Sequence, residues 1–138
     1  MKLILFPLGL VAVALLGGGC AQHSGAYAPA PSRLTPEQMT AKFLLMDPGT
    51  QASVTSTGLM ENRLPDGRLQ VACQLLNREN RRIQIQVQCV FKDAQGFSTG
   101  DETPWENVIL TENSTETVKF TSLNNQAATY TVRVRQAR

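Results

Sequence analysis

Residues 81–91 read RRIQIQVQCVF, and this stretch limits the fold more than any other. Ile83, Ile85, Val87, Cys89 and Phe91 occupy every second position, with Gln84, Gln86 and Gln88 between them. A period of two is that of a β-strand burying one face, and no helix can gather these residues on one side. The stretch RLQVACQLL, residues 68–76, repeats the pattern with Leu69, Val71, Cys73 and Leu75. Further short alternating runs follow at ENVIL, ETVKFTSL and TYTVRVR, separated by the turn signals NRENR, DAQG, NST and NNQAA. About six to seven strands, with turn signals roughly every 8–12 residues, predict an all-β, immunoglobulin-like antiparallel sandwich. Each strand then buries one face, and the glutamines are expected to meet water.

The chain has 138 residues, enough for one domain with a real core. Charged residues make up only 17%, and the formal net charge is +2 with both signs interspersed. That is no electrostatic footprint for a phosphate backbone, so nucleic acid is not an expected partner.

The N-terminus has a different character. Lys2 precedes LILFPLGLVAVALL, residues 3–16, an uncharged run shorter than the about 20 residues of a spanning helix. It has the dimensions of a signal-peptide core. The sequence LLGGGCAQ then leads through small residues to Cys20. This resembles the lipobox of bacterial lipoproteins, with Leu16 one place further back than usual and Gly17 in leucine's place. The resemblance implies removal of residues 1–19, acylation of Cys20, and membrane attachment through that lipid anchor. Several chains on one cysteine hold a membrane where one myristoyl-length chain binds only marginally. Ala21, in a place where such lipoproteins carry aspartate for inner-membrane retention, implies the outer membrane, facing the periplasm. Residues 20–34 are rich in Ala, Pro and Ser and read as a flexible tether, about 40 Å long at full PPII extension. Residues 35–138 are the expected sandwich domain.

Within that domain Thr35, Pro36 and Gln38 form a Thr-x-x-Gln capping box with proline at the first helical position. Residues 35–46 therefore read either as a short helix or as a turn leading into a strand at KFLLM. Pro65-Asp66-Gly67 is a tight turn.

Candidate sites are few. If residues 69–76 and 82–92 formed a hairpin, Cys89 would lie about 13 Å along the strand from the partner of Cys73. A disulfide needs roughly 4.4–6.8 Å between Cα atoms, so buried thiols are favoured, although the cell envelope is oxidising. The one histidine, His23, is in the tether, and no ligand pair shows zinc spacing. Asp101, Glu102 and Glu106 cluster in GDETPWE without the spacing of an EF-hand loop. No nucleophile has a base partner in the folded region, so no catalytic or cofactor residue is assigned and a non-enzymatic role is expected. Trp105 reads first as a core plug at a strand start and second as a contact residue, since tryptophan is enriched at interface hot spots. Arg133 and Arg135 share one parity of the last strand, Arg138 follows just beyond, and the group reads as a solvated face.

The stretch from Leu59 to Leu110, with the closing TYTVRVR, resembles the YcfL family of bacterial envelope lipoproteins. The features that carry it are the Asp66-Gly67 turn before Leu69-x-Val71, and then Asn77. Phe91-x-Asp93-x-x-Gly96 and Pro104-Trp105 continue it. The chain departs at Lys92, where relatives usually have an aromatic. The resemblance implies an immunoglobulin-type sandwich of unknown biochemical role, with no catalytic residues to carry over. The chain as a whole is expected to be an accessory or interaction module with an envelope protein partner. A passive structural or chaperone-like component is the alternative, and some relatives are encoded beside an activator of penicillin-binding proteins, an analogy only.

Overall fold

The structure, a computed structural model, describes residues 33–137. The signal segment, Cys20, His23, nearly all of the tether and Arg138 lie outside the described residues.

Thr35 builds its capping box: its hydroxyl accepts from Gln38 N, and the Gln38 amide accepts from Thr35 N at 2.8 Å. Helix α1 (Pro36–Thr40) results, and strand β1 (Phe43–Leu45) follows. Residues 35–46 are thus helix and strand in succession. Helix α2 (Pro48–Ser53) follows, then β2 (Val54–Arg63), β3 (Leu69–Asn77), β4 (Ile83–Lys92) and β5 (Ser98–Glu102). The order closes with β6 (Glu106–Leu110), β7 (Thr115–Thr121) and β8 (Thr129–Gln136).

These eight strands form two sheets among the described residues. The first runs β1-β8-β4, with β5 and β6 sharing the far edge of β4 end to end. The second runs β2-β3-β7. The chain crosses between sheets from β3 to β4, returns from β6 to β7, and crosses again to β8, the Greek-key path of a sandwich. The strand count exceeds the expected six to seven because residues 43–45 and 98–102 form strands of their own. One pairing departs from an antiparallel fold: β1 lies parallel to β8, Phe43 opposite Val132.

The alternating residues meet in one core. Val71, Cys73 and Leu75 of β3 face Val87, Cys89 and Phe91 of β4, with Phe120, Tyr130, Val132 and Val134 filling between. Each such side chain contributes about 1.5–3 kcal/mol relative to exposure. Among the described residues, Asn77 is the polar residue at the core's end with no access to water. Its amide donates to Arg81 O and Thr111 O, both at 2.8 Å, and its Oδ1 accepts from Glu79 N at 2.9 Å. Asn77 therefore folds the crossover 78–82 and ties it to the β6–β7 turn.

Candidate functional site: the outer face of the first sheet

The even positions of β4 do not all meet water. Gln84 is exposed and Gln86 half-buried, while Gln88 and Val90 are buried. The cover is the link between β5 and β6, residues 103–105, folded against β4. Thr103 holds it there. Its N–H donates to Cys89 O at 3.0 Å, its hydroxyl accepts from Cys89 N at 2.9 Å, and its carbonyl accepts from Gln88 Nε2 at 3.0 Å. Gln88 thus leaves the solvent with a bonded amide, as a buried polar group requires.

Pinning Thr103 fixes what comes next. Trp105 is not a core plug: it is half-buried on the outer face, with the Arg135 guanidinium carbon 3.9 Å from its ring centroid. Gln86 stands opposite Arg135 in the β4–β8 register. Arg135 Nε donates to Gln86 Oε1 at 2.8 Å, and Gln86 Nε2 donates to Asn107 Oδ1 at 3.1 Å. A cation held over an indole face is worth about 0.5–1 kcal/mol when exposed. The chain Asn107–Gln86–Arg135–Trp105 is therefore a braced, amphipathic surface. The sequence places Arg135 on the outer parity, but nothing in it sets Gln86 opposite Arg135, because these residues meet only through long-range pairing.

The other candidates sit elsewhere. Cys73 and Cys89 are free, buried thiols on opposite sheets, so the hairpin used to judge their spacing does not form. Burial pushes Cys73 up to about 11, and burial with the nearby Asp101 charge pushes Cys89 up to about 12. Neither presents a thiolate at neutral pH. Asp101 is buried and accepts from Leu123 N at 2.6 Å, while Glu102 and Glu106 are exposed. Among the described residues no three His, Cys, Asp or Glu side chains gather to hold a metal ion, and no helix is long and apolar enough to cross a membrane.

A family described as a protein of unknown function, DUF1425, matches residues 41–136. The chain belongs to this family. A crystal structure of a DUF1425 member from Shewanella sp. pv-4 is similar, with TM-score 0.56 and 20% identity over 62% of this chain and 79% of that one. The crystal structure of Campylobacter jejuni cj0090 is similar at TM-score 0.58 and 9% identity, covering 70% of this chain and 98% of that one. At such identities the likeness shows the sandwich fold. No functionally curated protein matches the chain. The DUF1425 match begins two residues before β1 and ends with β8, so both sheets lie within it.

Proposed function

We propose that this DUF1425 protein is a YcfL-type lipoprotein of the bacterial envelope, acylated on Cys20 and held at the periplasmic face of the outer membrane. There it acts without catalysis, as an interaction module that a partner envelope protein touches. The observation that carries the reading is Trp105. The chain bonds Thr103 to β4 at three points and thereby presents a large aromatic ring outward on Arg135, away from the core. Tryptophan and arginine together are the residue types that dominate interface energies. The lipobox and the tether-like composition of residues 20–34 supply the address.

Two measurements test it. Radiolabelled palmitate enters the wild-type protein and is absent from Cys20→Ala. A photocrosslinking amino acid in place of Trp105, in intact cells, gives one recurrent partner. A smear of abundant proteins would mean a passive structural or chaperone-like component instead.

A further inference from the structure

The second sheet ends in β7, and hydrogen bonding decides which of its groups are free. Asn77 N donates to Ser114 O and Ser122 N donates to Leu69 O, on the same register that sets Phe120 opposite Val71. In an antiparallel ladder the bonded pairs alternate. The even residues of β7 therefore bond to β3, and Thr117, Lys119 and Thr121 turn their N–H and C=O groups away from the sheet. No described residue bonds them.

The other edges are blunted. β1 has three residues, and the far edge of β4 is split between β5 and β6. β2 carries an irregularity between Ser56 and Gly58, and the Lys42–Glu61 ion pair joins it to the approach to β1. Short, bulged and charged edges resist pairing. β7 runs for seven residues with one cation, Lys119.

Beside β7 lies a cleft of about 330 Å³ between this edge and the β5–β6 link. Glu102, Pro104, Glu106, Lys119, Phe120 and Leu123 line it. Leu123 is 79% exposed, and its N–H is fixed by the buried Asp101. Charge is lopsided here. Residues 98–121 contain Asp101, Glu102, Glu106, Glu112 and Glu116 against Lys119 alone.

We propose that β7 takes an extended segment of a partner protein as an added strand whose cleft-facing, alternate positions carry basic side chains against Glu102 and Glu106 and apolar ones over Phe120 and Leu123. Main-chain bonds to Thr117, Lys119 and Thr121 supply affinity, and alternate side chains supply selectivity. This names the partner chemistry for the interaction-module reading and rests on it for the cellular role.

The test titrates the detergent-solubilised full chain into a fluorescein-labelled heptapeptide, Lys-Thr-Val-Thr-Lys-Thr-Val, which puts lysine and valine on one face, at low salt, read by anisotropy. The expected affinity is at least tenfold above that for the glutamate–valine counterpart. Thr117→Pro removes one outward N–H without touching the ladder to β3, and it weakens binding at least tenfold. Glu102→Lys with Glu106→Lys leaves the backbone intact and abolishes the preference for lysine. Bound peptide slows amide exchange at Thr117, Lys119 and Thr121. Absence of binding, equal binding by folded Thr117→Pro, or protection elsewhere would overturn the proposal. So would self-association of the free chain that Thr117→Pro abolishes, since a second copy then owns the edge. In cells, a crosslink from position 105 with none from position 119 sinks strand addition and leaves the Trp105 reading. The reverse sinks the Trp105 reading instead.

Discussion

Asn77 shows how one side chain can hold a topology. Its amide donates to Arg81 O and Thr111 O and, at 3.4 Å, to Leu110 O at the end of β6, while its carbonyl oxygen accepts from Glu79 N. Asn77→Ala strands the Arg81 and Thr111 carbonyls beside the core, and each unsatisfied buried group costs about 1–3 kcal/mol. The expected loss is about 2–4 kcal/mol, read from the urea midpoint at unchanged slope. Asn77→Asp restores the acceptor but not the donors and should be no better. The two thiols make a separate prediction about pH. Their native pKa values, about 11 and about 12, lie above the ordinary 9.0. Below pH 9 both folded and unfolded chains keep these protons, and stability does not depend on them. Above it the unfolded chain ionises while the native one resists, so stability falls as pH rises from about 9 towards 12. Thermal melts between pH 7 and pH 10.5 should fall less for Cys73→Val with Cys89→Val than for the wild type. Ellman's reagent should leave both cysteines untouched at pH 8 until the chain is denatured.

At the level of elements, local signals were readable wherever strands alternate and failed where long-range pairing decides. The parity of β3, β4 and β8 named most core residues, and the capping box at Thr35 forms as its spacing requires. Residues 47–53 carry no apolar period that announces a helix, yet Asp47 caps α2 by accepting from Thr50 N at 2.9 Å, with proline in the first turn. Strand β5, STGDE, has no apolar alternation at all, and exists because β4 offers it an edge. Trp105 leaves the core because Thr103 grips Cys89, a contact that no spacing rule contains. Asp47 has a second partner that ties element to element: its other oxygen accepts from Gln136 N at 2.8 Å, joining α2 to the end of β8. Asp47→Ala removes a helix cap and this clasp together, for an expected loss of about 1–3 kcal/mol by chemical denaturation. Asp47→Asn should recover only part of it, because an amide nitrogen must then face one of the two N–H donors.

On the scale of the whole molecule, the surfaces divide by sign around one piece of chain. On one side of the link 103–105, Trp105 lies over Arg135 with Arg133 further along the same face of β8; on the other, Glu106 rims the cleft beside β7, and Glu102 both lines that cleft and accepts from Gln88 Nε2 at 3.4 Å. A partner that spans the link meets cationic and anionic ground in sequence, which favours one orientation over its reverse. The proposed anchor on Cys20 can be tested separately from the fold. Among the described residues, the core cluster and its packed neighbours lie between Phe43 and Val134. On the proposed anchoring, Cys20→Ala should move the protein from the membrane pellet to the soluble envelope fraction while its melting temperature stays within about 1–2 °C, less than the shift that 1 kcal/mol produces in a domain of this size. A variant that leaves the membrane but melts well below the wild type would mean that the N-terminal segment packs on the sandwich. The acyl group would then be a structural part of the domain and not only its address.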